Sequence, residues 1–187
     1  MKKQTKPVGP VNTRGLKERA KLIKLLIFDV DGVLTDGGII LDGAEGEYKK
    51  FNVRDGHGIK LLQRAGIDVA LITGRYSRVV EKRASELGIR EVYQRCIDKA
   101  PAYEALLEKL GLPAMETAYV GDDVVDIPIL MRAGLPVAVA DAHEEAKRHS
   151  LMITKAKGGC GAAMECVEYI LKAKGLWDDI IDSYSKA

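Results

Sequence analysis

The sequence predicts an α/β fold of three layers: a doubly wound parallel sheet with helices on both faces and a β-hairpin inserted near its beginning. Short apolar runs alternate along the chain with segments in which apolar residues recur every three or four positions. This alternation is typical of βαβ units, whose crossover helices cover a parallel sheet. With 187 residues, 47% of them hydrophobic, the chain is long enough for one such domain around a single core.

Six short apolar runs predict the strands of the sheet. They lie at residues 24–30, 67–73, 91–94, 117–122, 136–141 and 151–154. Five segments between them have helical spacing, and several end in a glycine that can cap a helix. These segments are residues 57–66, 77–88, 100–111, 126–134 and 143–150, and a last helix is predicted at 162–175.

Residues 35–56 break this alternation. Two strand-like runs, 38–42 and 47–53, flank a turn rich in glycine and acidic residues. Two short strands joined by such a turn are typical of a β-hairpin, which we therefore predict after the first strand.

The two ends of the chain differ in composition from its middle. We expect the folded domain to span residues 21–175. The basic residues 1–20 are interpreted as a flexible leader without a catalytic role, and residues 176–187 as a polar C-terminal tail.

Charge and cysteine content narrow the classes of partner. The chain has 29 lysines and arginines against 27 aspartates and glutamates, and a net charge of +2 gives no reason to expect nucleic acid or a membrane surface. No segment approaches the ~20 apolar residues that span a bilayer. Cys96, Cys160 and Cys166 form no C-x-x-C pair and suit a reducing compartment. We therefore expect a cytoplasmic protein without a nucleic-acid or membrane partner.

The first predicted strand runs directly into acidic residues. In “LLIFDVDGVLTD”, residues 25–36, Asp29 and Asp31 stand two apart at the strand end and can project to the same side of the sheet. Two close carboxylates stay charged only when a cation joins them. A lone D-x-D pair often just forms a turn. A calcium loop is excluded because Leu34 and Ile40 stand where its glycine and glutamate belong.

Three further strand ends carry polar residues. They are Thr73, Gly74 and Arg75 in “LITGR”, Lys99 before the helix at 100–111, and Asp122, Asp123 and Asp126 in “YVGDDVVD”. Each alone could be a helix cap or a surface residue. Parallel sheets place their sites at the carboxyl ends of the strands, so the whole series in this order predicts one site that binds a cation and a phosphate.

These residues match known motifs. “DVDGVLTD”, “TGR”, Lys99 and “GDDVVD” resemble, in order, the four motifs of the haloacid dehalogenase superfamily of phosphohydrolases. Longer stretches, among them “GEYKKFNVRDGHGIKLL”, “VEKRASELGI” and “GGCGAAMECVEYIL”, resemble a family within it that hydrolyses the 8-phosphate of an eight-carbon sugar acid. This second resemblance covers about residues 24–172.

The resemblance implies Mg²⁺-dependent hydrolysis of 3-deoxy-D-manno-octulosonate 8-phosphate, in lipopolysaccharide precursor synthesis. It makes Asp29 the nucleophile that becomes an aspartyl phosphate, and Asp31 the acid that protonates the leaving oxygen and later deprotonates water. The implied Mg²⁺ ligands are the carboxylates of Asp29 and Asp122 and the backbone carbonyl of Asp31. The implied phosphoryl-binding groups are Thr73, the Gly74 N–H and Lys99, with Asp123 and Asp126 as support.

The same resemblance places further residues near the sugar. They are Asn52, Val53, Arg54, Asp55, Gly56 and Lys60, expected around the returning strand of the hairpin. Arg75 and Arg83 lie eight residues apart, about two helical turns, so we expect them to share one face and to bind the substrate carboxylate. Alternatively, Arg83 is a surface arginine paired with Glu81 or Glu86.

The gaps between the motifs leave no room for a cap domain. The first gap contains only the hairpin and one helix, and residues 100–121 fit one helix and one strand. A site without a cap is open to water, so either the substrate is large or a neighbouring subunit closes the site. The resemblance implies a homotetramer in which the hairpins meet centrally and the glycine-rich segment from 157–161 onward covers an adjacent subunit's site.

Three alternatives fit the motifs less well. A receiver domain of a signalling system also uses an aspartate, a threonine and a lysine, but in another order and with no role for Asp31. A catalytically inactive scaffold is disfavoured because every motif residue is present. The closest rival is a phosphatase of nine-carbon, sialic-acid-type 9-phosphates, whose members tend to have an acidic residue where this chain has Arg75.

Overall fold

A six-stranded parallel sheet forms the centre of the computed structural model, which describes residues 13–43 and 46–186. Its strands are β1 (Leu25–Phe28), β4 (Asp68–Ile72), β5 (Glu91–Tyr93), β6 (Thr117–Gly121), β7 (Leu135–Ala138) and β8 (Met152–Ile153). The inserted hairpin consists of β2 (Ile40–Leu41) and β3 (Glu47–Tyr48). The helices are α1 (Thr13–Leu22), α2 (Val53–Arg64), α3 (Arg78–Leu87), α4 (Ala100–Leu110), α5 (Ile127–Leu130), α6 (Glu144–Arg148), α7 (Ala162–Lys174) and α8 (Trp177–Ser185).

The order of the strands across the sheet is β5-β4-β1-β6-β7-β8. Phe28 at the end of β1 lies opposite Leu71 of β4 on one side and Val120 of β6 on the other. The chain therefore leaves the central strand in one direction and returns on its other side, which is the topological switch point where doubly wound sheets bind ligands. This arrangement confirms the predicted fold class.

Helices cover both faces of the sheet. Right-handed crossovers place α2 and α3 on one face, where α1 and α7 join them, and α4, α5 and α6 on the other. The four residues of β1 are fully buried, as expected for a strand covered on both sides. In the described part of the chain, only the hairpin and α2 separate β1 from β4, so the predicted absence of a cap domain is confirmed. No helix in that part is long and apolar enough to cross a bilayer.

The hairpin is confirmed, but its strands are shorter than predicted. Ile40 pairs with Tyr48 in an antiparallel ladder, and the chain leaves this ladder after Tyr48. The side chain of Asn52 then accepts a hydrogen bond of 2.8 Å from the Arg54 amide and caps α2. As a result, the residues expected on the returning strand up to Gly56 lie in the first turn of a helix.

The predicted flexible leader over residues 1–20 is wrong from residue 13 onward, where α1 begins. Ala20 is fully buried, and Arg19 Nη1 donates a hydrogen bond of 2.8 Å to the carbonyl of Gly134. Leu16, Ala20 and Ile23 recur at helical spacing, which is the signal that could have revealed the helix. Residues 1–12 lie outside the described part of the chain.

The C-terminal segment packs on its own chain. The buried face of α7 consists of Ala162, Ala163, Cys166, Val167, Ile170, Leu171 and Ala173. Before it, Gly159 donates a hydrogen bond of 2.9 Å to the carbonyl of Val33. A Cβ at Gly158 would lie 1.8 Å from the Gly32 carbonyl oxygen, so only glycine fits there. Gly158, Gly159 and the buried face of α7 therefore pack on their own chain, while the contact of the segment from 157 onward with an adjacent subunit's site stays a prediction.

Candidate active site

The carboxyl ends of β1, β4 and β6 bring the predicted motif residues together. Asp29 directly follows β1, and its amide continues the sheet by donating 3.0 Å to the carbonyl of Val120. Asp122 follows β6, and Thr73 follows β4. Because β1 lies between these two strands, the three side chains lie along one edge of the sheet.

A compact group of carboxylates lies at this edge. Oxygen atoms of Asp29, Asp122 and Asp126 all lie within 4.8 Å of one another. Burial, opposed by Lys99 and reinforced by Asp126, raises the pKa of Asp29 to about 6. Burial and the charge of Asp29 raise the pKa of Asp122 to about 8. Such shifts mean that the ionised acids repel one another and that a cation would stabilise them.

Asp126 has no capacity left for a metal ion. Its Oδ1 accepts from Lys99 Nζ at 2.7 Å and from the hydroxyl of Tyr119 at 2.5 Å. Its Oδ2 accepts from the amides of Asp122 and Asp123, at 2.8 and 3.1 Å. This fully buried carboxylate therefore fixes the backbone and the lysine around the site, which fits the predicted supporting role. Tyr119, not predicted, completes this support.

Lys99 is buried beside the expected nucleophile. Its Nζ lies 3.0 Å from Asp29 Oδ1 and 2.7 Å from Asp126 Oδ1. Burial lowers the pKa of Lys99, but the charges of Asp29 and Asp126 outweigh burial and hold that pKa above its usual value. The lysine is therefore a fixed positive charge next to the Asp29 carboxylate.

The remaining carboxylate oxygens fit a hard divalent cation. Asp122 Oδ1 is buried and has no hydrogen-bond partner among the described residues, and the buried Asp29 Oδ1 has the Lys99 ammonium 3.0 Å away as an ion-pair partner. A Cβ at Gly32 would lie 2.1 Å from Asp122 Oδ2, so the glycine permits the close approach of the two loops. Oxygen-only ligands at close range are what Mg²⁺ prefers. Asp31 turns its carboxylate toward the hairpin, where it pairs with Lys49, and the role of its backbone carbonyl as a metal ligand stays a prediction.

The loop after β4 is tied to the loop after β5. Thr73 donates its amide to the carbonyl of Tyr93 at 2.9 Å, and its own carbonyl accepts from the amide of Cys96 at 3.0 Å. A Cβ added to Gly74 would meet only the Cys96 carbonyl, at 3.7 Å. Thr73 and Gly74 thus lie on a rigid loop beside the carboxylates, at the edge where a phosphoryl group would bind.

The hairpin contributes two charged residues that sequence reasoning missed. Lys49 Nζ donates a hydrogen bond to Asp31 Oδ1 and lies 3.8 Å from Glu47 Oε2. Arg75 Nη2 donates to the same Glu47 oxygen at 2.8 Å, and Arg75 Nη1 lies 3.9 Å from Asp31 Oδ2. We call these four residues the hairpin quartet. The signal for its two missed members was their spacing, because residues two apart on a strand share a face.

Several predicted sugar-binding residues have other roles in the structure. Asp55 is buried, and its oxygens accept from the amides of Gly161 and Met164 at 3.2 and 2.8 Å. Both oxygens therefore contact the start of α7, and the expected contact of Asp55 with the sugar stays a prediction. Lys60 Nζ would lie 3.4 Å from a Cβ at Gly88. Gly88 follows the C-terminal end of α3, which is distant from the sheet edge that bears the carboxylates.

The other predicted residues of this group lie around the start of α2. Asn52 caps the helix and donates to the carbonyl of Gly159 at 3.4 Å, while Val53 is 79% exposed. Arg54 is exposed too. A Cβ at Gly56 would lie 2.2 Å from Arg83 Nη2, so this glycine packs directly under the arginine.

The predicted pairing of Arg75 with Arg83 is wrong. Ser77 caps α3, which begins at Arg78, so Arg75 precedes the helix and the two-turn spacing does not apply. Arg75 contacts the hairpin quartet, whereas Arg83 pairs with Glu86 at 3.3 Å and lies 5.8 Å from the ring centroid of Phe51. The alternative pairing of Arg83 with Glu86 is therefore what the structure contains.

Comparisons with known proteins agree with this site. A family model described as haloacid dehalogenase-like hydrolase matches residues 83–163. The 3-deoxy-D-manno-octulosonate 8-phosphate phosphatase KdsC of Salmonella typhi is 45% identical over 91% of this chain and 90% of its own.

Solved structures give the same result. The Yersinia pestis phosphatase of this name aligns with a TM-score of 0.86 at 45% identity, over 88% of this chain and 89% of that one. The Moraxella catarrhalis phosphatase, solved with magnesium, phosphate and KDO, aligns with a TM-score of 0.91 at 40% identity, over 92% of this chain and 99% of that one. The chain belongs to the KdsC family of 3-deoxy-D-manno-octulosonate 8-phosphate phosphatases, within the haloacid dehalogenase-like hydrolases.

Proposed function

We propose that this protein is an Mg²⁺-dependent phosphatase that hydrolyses 3-deoxy-D-manno-octulosonate 8-phosphate to the free sugar acid and phosphate, in lipopolysaccharide precursor synthesis. The observation that carries the proposal is the buried pair Asp29 and Asp122, in which Asp122 Oδ1 has no hydrogen-bond partner among the described residues and Asp29 Oδ1 lies 3.0 Å from the Lys99 ammonium. This arrangement suits a cation and a phosphoryl group side by side. The Moraxella catarrhalis relative is described with magnesium, phosphate and KDO, which are the corresponding ligands.

In the first step, a carboxylate oxygen of Asp29 attacks phosphorus, and the bond from phosphorus to the sugar oxygen breaks. Asp31 gives its proton to the departing oxygen. Lys99, the Thr73 hydroxyl and the Gly74 amide hold the phosphoryl oxygens, and the fixed charge of Lys99 offsets the charge on that group. Asp29, Asp122 and the backbone carbonyl of Asp31 would hold Mg²⁺, which would supply positive charge that offsets the repulsion between nucleophile and phosphate.

In the second step, water attacks the aspartyl phosphate and Asp31 accepts its proton, which frees Asp29 and releases phosphate. Both steps require the Asp31 side chain to face the reacting oxygen. Its place two residues after the nucleophile, at the mouth of the site beside the hairpin, supports this role.

A cleft beside the hairpin, lined in part by Arg75 two residues after Thr73, is a candidate place for the sugar. A cleft of about 620 Å³ opens between the hairpin and the start of α3. Glu47, Arg75 and Ser77 are among its lining residues, and Arg75 Nη1 has no hydrogen-bond partner in the described ranges. We propose that the Arg75 guanidinium, which lines this cleft, binds the carboxylate of the substrate.

The experiment that tests the function is a measurement of phosphate release from a panel of sugar-acid phosphates, with Mg²⁺ and with a chelator. We expect the highest kcat/KM on 3-deoxy-D-manno-octulosonate 8-phosphate and no turnover in chelator. A higher kcat/KM on a nine-carbon 9-phosphate would contradict the proposed substrate and favour the sialic-acid-type alternative.

The structure also supports a difference between the two arginines expected at the substrate carboxylate. The Arg75→Ala variant is expected to lose about thirtyfold in kcat/KM on the sugar-acid phosphate, about 2 kcal/mol, because a charged hydrogen bond is lost. The matched Arg83→Ala variant is expected to lose less than about threefold, because this guanidinium already pairs with Glu86. Steady-state kinetics on both variants checks this, and equal losses would show that Arg83 also contacts substrate.

We also propose a cytoplasmic homotetramer assembled through the hairpins. Ile39, Ile40, Leu41 and Tyr48 are all more than half exposed, and a clustered apolar surface is typical of an interface. The three cysteines, all in the described part of the chain, are free thiols, which suits a reducing compartment. Sedimentation analysis of the intact protein and of a Leu41→Asp variant tests the assembly.

A further inference from the structure

Lys49 is an unusual lysine because its side chain is only 1% exposed. Lysine is rarely buried unless its charge is paired, and the ammonium group here has two acidic neighbours. It donates a hydrogen bond to Asp31 Oδ1 and lies 3.8 Å from Glu47 Oε2. Lys49 therefore does not form a solvent-exposed ion pair on the surface of the hairpin. Its charge is directed at the side chain of Asp31.

We propose that Lys49 is a positioning residue for catalysis, which holds the Asp31 carboxylate in the orientation needed for proton transfer. This inference rests on the function proposed above, in which Asp31 exchanges protons with the leaving oxygen and with water. Lys49 occupies Oδ1 of Asp31. Within the described ranges, the ion pair of the other oxygen, Oδ2, is with the Arg75 guanidinium at 3.9 Å, beyond hydrogen-bond distance. One carboxylate oxygen is thus fixed and the other stays accessible.

The orientation of the Asp31 side chain matters because proton transfer requires the donor and acceptor oxygens to be within about 3 Å of each other. A displacement of about 1 Å in such a group can cost on the order of 100-fold in rate. An aspartate in a loop has several rotamers, and a buried, paired cation selects one of them. Because the Lys49 side chain is enclosed, it acts on the substrate through Asp31 and not by direct contact.

The test compares two phosphate esters that differ in their need for an acid. In the Lys49→Met variant, which keeps the side-chain length, we expect kcat/KM on the sugar-acid phosphate to fall about thirtyfold, a part of the acid's usual contribution. On p-nitrophenyl phosphate, whose leaving group departs without a proton, the loss is expected to stay below about threefold. Mg²⁺ affinity, measured by calorimetry, is expected to be unchanged. The matched control is Lys50→Met, an exposed neighbour paired with Asp36 at 2.7 Å, which should alter neither reaction.

A double variant separates positioning from other roles. In the Asp31→Asn background, adding Lys49→Met is expected to cause no further loss in kcat/KM, because two residues that act through one group are not additive. Additive losses, equal losses on both esters, or full activity in Lys49→Met would each overturn the proposal. If Lys49→Met does not fold by circular dichroism, Lys49→Gln is measured in the same way against the same expectations.

Two measurements that do not involve a Lys49 variant test the underlying function. If the unaltered enzyme does not hydrolyse the sugar-acid phosphate, or if Asp31→Asn alone is fully active, the proposed function is wrong. Both measurements are made with Lys49 intact, so they are independent of the positioning proposal.

Discussion

The Asp29→Asn variant is expected to release phosphate at least about 10⁴-fold more slowly than the unaltered protein, because a carboxamide cannot attack phosphorus. The substitution also removes one of the carboxylates grouped at the expected metal position. Folding should be preserved, since asparagine has the same shape and Lys99 keeps its bond of 2.7 Å to Asp126. Phosphate release and thermal melting of the variant measure the two parts of this expectation.

A matched control distinguishes loss of the nucleophile from loss of charge in general. Asp36→Asn removes a carboxylate from the same loop, where Asp36 pairs with Lys50 on the surface, and full activity is expected. Acid quenching during turnover should trap phosphate on the unaltered protein and none on Asp29→Asn. If the variant retained a tenth of the activity, water would have to attack phosphorus directly and the aspartyl-phosphate route would be excluded.

Removal of Mg²⁺ is expected to abolish activity and to lower stability in a pH-dependent way. Without metal, the pKa of Asp29 is raised to about 6 and that of Asp122 to about 8, both above the ordinary value of 3.8. At pH values between the ordinary pKa of 3.8 and the raised pKa of each group, the folded protein binds more protons than the unfolded chain. Metal-free stability should therefore fall as the pH rises from about 4 to about 8. The bound cation should reverse this loss, because it replaces the protons.

Thermal shifts with and without Mg²⁺ at pH 5 and pH 8.5 measure this effect. The same Mg²⁺ concentration is used at both pH values. At 100 times the dissociation constant measured at pH 8.5, the ion should add about 2.7 kcal/mol of stability at that pH. The increase in Tm should be larger at pH 8.5, where protons no longer compete for the carboxylates. The Asp122→Asn variant should lose most of the shift and the Asp36→Asn variant should retain it. The same shift at both pH values would show that these carboxylates are not the ligands.

The sheet and the carboxylate site could be predicted because both depend on local patterns. A strand buried on both faces must be a continuous apolar run, as in Leu25–Phe28. The carboxyl ends of parallel strands lie at the same edge of the sheet. Residues that directly follow neighbouring strands are therefore close in space, however far apart they are in sequence. Asp29 and Asp122 directly follow β1 and β6 and meet for this reason, whereas Lys99 reaches Asp29 from the start of α4.

The roles of Asp55 and Lys49 could not be predicted because they depend on distant contacts. The partners of Asp55 lie 106 and 109 residues later in the chain, where the glycine-rich segment meets α7. Lys49 is buried only because Asp31, 18 residues earlier, supplies its counter-charge. The residue types alone suggest other roles. An aspartate in a motif suggests a contact with the ligand, and a lysine suggests a position on the surface.

The close packing of Gly158 against Gly32 has a consequence for protein synthesis. The loop that bears Asp31 emerges from the ribosome early, yet the backbone that fits against it, at Gly158 and Gly159, belongs to a much later part of the chain. Closing such a distant contact costs chain entropy that only the docking of α7 can offset. The first half of the sheet can therefore form during translation, whereas the catalytic loop reaches its final shape only once the last third of the chain has been made.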